Sequence, residues 1–498
     1  MAPVLQTPPS KTSPINIVGA GIFGLSTALN LAERGYSNVC VFDRQPYDET
    51  EYSYLKGADA ASADINKIIR SAYGGVSIYQ ELSLEAIDGW EAWNHRIASG
   101  SSVPPGMTAS DRVFIPNGNL IMTDSDILPA FDLASVQSME AAGHKDTQLI
   151  TTDPRHLDLA RSRGFAFALD PFRREEKGKS NVAVLDTTGG TAVADKACRF
   201  ALHEARKLGV RFMFGPEIGA LDSLCYESDS RTKVNGLRTT DGKTHPAAMT
   251  ILACGGWTPS ILPRLDGFCE ATAGSVFLIK VPRESKLWSR LSSDNFPSWQ
   301  YKMRDGSEGG LYGFALDDQG FLKIGYRGTK YTNPITQVDG KERSVPVTRW
   351  STPTSDGKTL TSIPQQAFTV VQRFLKDHLP ELADEGLDIT TTRVCWYNDS
   401  FDNHLLVDRV PEVEGLMVAT AGSGHAFKYL PVIGKYVADV MEFIDLERPS
   451  IQAWKWREQG STAPANILME GSSGKRALGN IPLISDASFG TAAPKSRL

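Results

Sequence analysis

Long hydrophobic runs are missing from this chain. No apolar stretch among its 498 residues approaches the roughly 18 that a membrane span needs, so no membrane is expected as a partner. An excess of positive charge is missing too. Fifty-two Lys and Arg stand against 58 Asp and Glu, a net charge of −6, with no basic block or stripe, so nucleic acid is not an expected partner. Cysteine is sparse. The six (Cys40, Cys198, Cys225, Cys254, Cys269 and Cys395) are scattered and no pair has metal-ligand spacing. They read as reduced thiols of an intracellular protein, and no metal is expected. Met1 to Pro14 is rich in Pro, Ser and Thr but lacks the charged start and apolar stretch of a secretory signal. No internal repeat is visible. What remains, 41% hydrophobic and 22% charged, is an ordinary globular composition, and the length suggests two to four structural units.

The most informative local pattern lies near the start. Ile15-Asn16-Ile17-Val18 reads as a short strand running into Gly19-Ala20-Gly21-Ile22-Phe23-Gly24. Leu25 to Arg34 has helical spacing, Gly35 ends it, and Val39 to Phe42 is a second strand closed by Asp43. Each glycine has a distinct task in a dinucleotide fingerprint. Gly19 makes the turn, Gly21 lets backbone approach a pyrophosphate, and Gly24 lets the helix pack close to the sheet. The helix N-terminus at Ile22 and Phe23 offers free N–H groups to phosphates, and Asp43 can accept from a ribose hydroxyl. The pattern does not separate FAD from NAD. Its place near the N-terminus, with nucleotide-type pieces returning later, leans toward FAD.

Further along, a helix is expected from about 74 to 99, another over Lys196 to Leu208, and strands over Gly209 to Phe214, Ala248 to Cys254, Phe321 to Tyr326 and Leu416 to Thr420. Pro334 to Thr361 is a Pro/Thr/Ser-rich insert. These pieces suggest an α/β fold of two interleaved domains. An FAD-binding unit would take 1–100, 186–262 and 390–450, a substrate unit 101–185 and 263–389, and a C-terminal tail 451–498.

Three more segments carry a specific resemblance. They are Ser62-Ala63-Asp64-Ile65-Asn66-Lys67-Ile68-Ile69-Arg70-Ser71-Ala72-Tyr73-Gly74; Tyr312-Gly313-Phe314 with Leu322-Lys323-Ile324-Gly325-Tyr326; and Cys395-Trp396-Tyr397 with Asp402-Asn403-His404 and Gly422-Ser423-Gly424-His425-Ala426-Phe427-Lys428. With the fingerprint, they resemble the monomeric sarcosine oxidase family, which includes pipecolate oxidases, saccharopine oxidases and the fructosyl amino acid oxidases (amadoriases). The resemblance implies a glucose-oxidase-like, Rossmann-type FAD domain interleaved with a mixed-sheet substrate domain. It implies a monomer whose FAD is joined through its 8α-methyl group to the Cys395 sulfur. The implied reaction oxidises an amine to an imine and reduces oxygen to hydrogen peroxide.

The same resemblance implies roles for individual residues. Lys323 is placed over the flavin, where a fixed cation stabilises superoxide; taken alone it reads as a lysine on a solvated strand face. Arg70 and Lys428 match the pair that holds a substrate carboxylate; otherwise Arg70 merely pairs with a structural acid. Asn66, Lys67, Gly424, Phe427 and Lys428 are placed by the flavin, with a helix start after Gly424 whose positive end favours the anionic reduced ring. Tyr312 and Tyr397 are expected to line the pocket. His404 and His425 read as structural.

Departures from the family pattern bear on substrate. Arg327 stands where amadoriases usually carry a glutamate that holds sugar, Tyr397 replaces a cysteine, and Arg70 is generally absent from them. An N-methyl, cyclic or otherwise N-substituted amino acid therefore fits better than a glycated one, and Arg327 is expected to meet a second carboxylate or a phenolate. An N-methyl substrate yields a methylene iminium, which an electron-rich ring on the same molecule can attack to close a C–C bond, as a natural-product pathway would use. The alternatives are a fructosyl amino acid oxidase, a pipecolate or saccharopine oxidase, an NAD-dependent dehydrogenase, and an inactive nucleotide-binding protein. Ser496-Arg497-Leu498 closely matches a peroxisomal address read by an import receptor, on a Gly/Ser/Ala/Pro-rich segment from Gly471 with little to pack.

Overall fold

In the computed structural model, residues 7–303, 310–348, 362–460 and 463–484 are described. Two sheets organise them. The first has six strands in the order Leu406–Arg409, Leu416–Thr420, Met249–Leu252, Ile15–Val18, Val39–Asp43 and Arg211–Phe214. The last five run parallel, and all of these but the edge strand Arg211–Phe214 are almost wholly buried, with helices on one face and the small sheet Leu221–Tyr226, Val234–Thr239 and Thr244–Pro246 on the other. Helix Ile22–Glu33 crosses this sheet between helices Ala194–Lys207 and Ile433–Glu442. Gly24 is the point of closest approach: a Cβ there would lie 1.8 Å from the Gly19 carbonyl oxygen. Helix Ser77–Ala98 buries Tyr79, Leu82, Ala86, Trp90, Trp93 and Ile97, one stripe at helical spacing, against the same core.

The second sheet has eight strands in the order Ile389–Ser400, Cys269–Lys280, Phe321–Tyr331, Leu311–Gly313, Ser298–Lys302, Asn119–Thr123, Ala183–Asp186 and Gln148–Ile150. It is mixed: Ser298–Lys302 pairs in parallel with Asn119–Thr123, and the other neighbours are antiparallel. Helix Gln365–His378 covers it, with Phe374 stacked on Trp299 at 4.9 Å. A small sheet of Asn66–Ile69, Gly190–Val193 and Phe114–Ile115 brings the Asp64-to-Tyr73 segment between the two.

Several elements differ from expectation. The strand opened by Phe321 continues to Tyr331, so Arg327 and Lys330 lie on it. The insert after Pro334 begins as a hairpin of Pro334–Thr336 and Glu342–Ser344, and residues 349–361 lie outside the described residues. Instead of a helix directly after Gly424 there is a single 3-10 turn, Ala426–Tyr429, with the α-helix starting only at Ile433. Pro431 explains the break, because it lacks the N–H that would join the two. The segment from Gly471 is docked as far as Ile484: Leu478 enters the core and Leu483–Ile484 pairs with Ile363–Pro364. Its small residues leave those apolar side chains free to reach the eight-stranded sheet. The expected address, Ser496 to Leu498, lies outside the described residues.

Candidate active site

A cleft of about 1060 Å³ runs between the sheets. At one end it is lined by Gly19, Gly21, Ile22, Phe23 and Asp43, together with Arg44, Ser62, Thr240 and Trp257. The N-terminus of helix Ile22–Glu33 opens into it, so unpaired backbone N–H groups and the positive helix end face the space. The Ile22 N–H is taken by Ser62 Oγ at 3.1 Å. Asp43 already accepts from the Ala20 N–H (2.7 Å) and the Gln45 N–H (2.8 Å). Those bonds fix the carboxylate and leave lone pairs for a further donor.

Behind the cleft-lining Lys67 and Arg393 lies a buried charge cluster whose Asp64 and Lys323 do not themselves line the cleft. Asp64, 1% exposed, meets three cations: Lys323 Nζ at 2.6 Å, Lys67 Nζ at 2.8 Å and Arg393 Nη2 at 2.8 Å. Burial raises the Asp64 carboxyl, but these cations outweigh it and hold it well below its ordinary value. Lys323 is fully buried and also donates to the Asn66 carbonyl at 2.8 Å, so the solvated-strand reading does not hold. Its burial, only partly offset by Asp64, lowers it to about 7. Cys395, 1% exposed, does not line the cleft itself. It lies on strand Ile389–Ser400 between Arg393 and Tyr397, both cleft-lining, and strand alternation puts all three on one face.

At the far end stand Arg70, Tyr73, Tyr312, Tyr397, Arg327 and Lys428. The hydroxyls of Tyr312 and Tyr397 are 3.1 Å apart. Arg327, expected to meet a second anion, already has an anionic partner within the protein. Its Nη2 bonds Asp399 at 2.6 Å and its guanidinium stacks 4.0 Å from the Tyr397 ring centre. Gly424, at φ +73°, admits this arrangement, since a Cβ would lie 1.3 Å from Arg327 Nη1. Arg70 has no acid partner among the described residues; its Nη1 reaches only the Ala72 carbonyl, at 3.4 Å. Lys428 Nζ donates to the Tyr73 hydroxyl, and burial lowers it to about 8. Burial also drives His425 down, to about 3, and lowers His404, whose Nδ1 meets the Tyr79 hydroxyl at 3.0 Å. Both read as neutral and structural. Phe427 lines the cleft and lies 6.3 Å from Trp90 in a stacked pair.

The residues fit a flavin dinucleotide. The cleft is lined by the helix N-terminus and by the cations Lys67 and Arg393; Gln300 on its wall has a buried Nε2 without a partner among the described residues, and so has Asn66 Oδ1, which does not line the cleft but precedes Lys67, which does. The "DAO: FAD dependent oxidoreductase" family matches residues 15–440. The chain belongs to that family. This oxidoreductase is 28% identical to the L-saccharopine oxidase of Schizosaccharomyces pombe, over 89% of this chain and 93% of that protein. It is 26% identical to the amino acid oxidase fsqB of Aspergillus fumigatus, over 84% of this chain and 90% of that protein. Among solved structures it resembles the fructosamine oxidase of Aspergillus fumigatus (Amadoriase II) in complex with FSA, with a TM-score of 0.67 and 26% identity over 90% of each chain.

Sequence reasoning missed Asp64, Tyr73, Gln300, Arg393 and Asp399 as site residues. Arg393 was within reach of it, two positions before Cys395 on one strand face. Asp64 and Tyr73 stand in the quoted segment without a role. Nothing local marks Gln300 or Asp399.

Proposed function

We infer that the chain oxidises the C–N bond of an N-methyl or otherwise N-substituted amino acid, giving an imine or iminium and hydrogen peroxide. The observation that carries this reading is Arg70, a cation with no acid partner among the described residues, beside the Lys428 amine at the end of a cleft that suits a flavin. An arginine fork left unneutralised is built for a carboxylate. Tyr312 and Tyr397 supply neutral aromatic walls and two hydroxyls to orient the rest of the substrate. FAD, held by the glycine turn and Asp43, would supply the two-electron acceptor for the amine and the donor to oxygen. Lys323, held by Asp64 beside the cleft, presents a positive charge at and below neutral pH. Cys395 would carry the cofactor covalently, supported by its place between Arg393 and Tyr397. Retention of yellow colour by the denatured chain, lost in Cys395→Ala, tests that link.

The division into units would follow the sheets, with one modification. Strand Ile389–Ser400 belongs to the eight-stranded sheet, so the proposed third FAD segment begins after it. A monomer delivered to the peroxisome by Ser496-Arg497-Leu498 is the matching cellular reading; relatives named peroxisomal sarcosine oxidase support the compartment.

The substrate reading is tested by mixing the enzyme anaerobically with an N-methyl amino acid bearing a phenolic side chain, with pipecolate, and with a fructosyl amino acid. Fast bleaching of the flavin by either of the first two is expected. Bleaching by the fructosyl compound alone would replace this reading with deglycation.

A further inference from the structure

Tyr73 is a cleft residue to which the chemistry above gives no task. It follows Arg70 on a segment pinned by Asp186, whose carboxylate accepts from the Ser71 N–H at 2.8 Å. Its ring is 6% exposed and lines the cleft with Arg70 and Lys428. Its hydroxyl accepts from Lys428 Nζ. The Arg70 guanidinium lies over the ring, 4.4 Å from its centre, and the Lys428 ammonium at 4.7 Å. The other titratable groups facing it are His425, whose Nδ1 is 3.5 Å from the hydroxyl, Tyr79, whose ring is 5.5 Å away, and Tyr429. Asp186 acts on Lys428 and forms no hydrogen bond with the phenol. No carboxylate bonds the phenol among the described residues. Two cations beside a phenol that no described carboxylate bonds favour its phenolate.

The electrostatics agree with this placement. Burial raises the Tyr73 phenol, but Lys428 and Arg70 outweigh burial and hold it below its ordinary value. Lys428 is lowered as well, and the first proton that the bonded groups give up belongs to the pair.

We propose that Tyr73, paired with Lys428, accepts the proton of the substrate's ammonium nitrogen. The proposal rests on the amino-acid reading above. A secondary amino acid at neutral pH carries its nitrogen protonated, and that nitrogen has no electron pair with which to push out a hydride. The substrate carboxylate seats on Arg70 and Lys428. The nitrogen is two bonds from the carboxylate carbon, which brings it beside the oxygen bonded to Lys428. The substrate N–H bond breaks, the Tyr73 O–H bond forms, and the electron pair stays on nitrogen. Lys428 keeps its positive charge for the carboxylate throughout. The phenol returns its proton to water when product leaves. Arg70 and Lys428 thus choose the acid, and Tyr73 prepares the amine.

The first readout needs no turnover. Tyrosine labelled with ¹³C at the ring carbon bearing the hydroxyl is followed by NMR in the substrate-free holoenzyme as pH is raised. One tyrosine is expected to ionise below the ordinary value of about 10. That signal is absent from Tyr73→Phe and returns toward the ordinary value in Lys428→Gln, so the assignment survives if either variant fails to fold. The second readout is anaerobic bleaching with an N-methyl amino acid. Tyr73→Phe is expected to bleach about 100-fold more slowly at neutral pH. It should recover as pH passes the pKa of the free amine, whereas a merely structural role would slow bleaching equally at every pH. An unshifted carbon with fast bleaching, or a Tyr73→Phe profile parallel to the parent's, overturns the role of Tyr73 alone. A shifted carbon with no bleaching by any amino acid overturns the substrate reading and the acceptor role with it.

Discussion

Arg70 and Arg327 look alike in sequence, and both line the same cleft. Their surroundings separate them. Arg327 lies against Asp399, fully buried at 2.6 Å, with Lys330 and Thr272 on the same carboxylate. Arg70 has a carbonyl at 3.4 Å and an aromatic face. One guanidinium has its charge matched inside the protein, and the other has no acid partner among the described residues. A cation read from a sequence becomes a binding group only where the fold leaves it unmatched.

The largest way to break this contrast is to remove Arg70. Arg70→Met should lower kcat/KM for an N-methyl amino acid about 100-fold, because a charged hydrogen bond of about 3 kcal/mol is lost. Removing Arg327's partner should make the two arginines alike. Asp399→Asn is expected to cost about 3 kcal/mol of stability, seen as a lower Tm, since it leaves the half-buried Arg327 and Lys330 unmatched. It should also improve kcat/KM about tenfold for a substrate with a second carboxylate, relative to one without. If that ratio does not move, Asp399 is not what silences Arg327.

A several-fold effect is expected at the other charged centre. Burial lowers Lys323 to about 7, so its proton, and its positive charge, are lost as pH rises. The rate at which oxygen reoxidises the reduced enzyme, followed by stopped flow, should therefore fall between about pH 6 and about pH 9. The same rate in Lys323→Met should be lower and flat. The smallest change expected is Gly424→Ala. It places a Cβ at the Arg327 guanidinium and at a positive φ, and should lower stability by about 1 kcal/mol in chemical denaturation.

The nucleotide end was legible because its information is local. Strand, glycine turn, helix and Asp43 occupy one stretch of about 30 residues, each glycine with a steric reason. The order of the eight-stranded sheet was not legible, since it joins Ser298–Lys302 to Asn119–Thr123 across nearly the whole middle of the chain. Lys323 shows the same divide within the site. Its strand alternation suggested a solvated lysine, while its buried partner Asp64 lies 259 positions earlier. Asp399 is 72 positions from Arg327, and Lys428 is 355 from Tyr73. Electrostatic matching of this kind is a property of the folded chain. Residue type suggests it, but pairing decides it.

The most direct measurement compares one N-methyl amino acid with its own carboxamide in anaerobic flavin bleaching. The two differ only in the group that Arg70 and Lys428 would hold. Fast bleaching by the acid, with the amide slower by about 100-fold, is the expected result. Equal rates would mean that the unmatched cation at Arg70 does not choose the substrate.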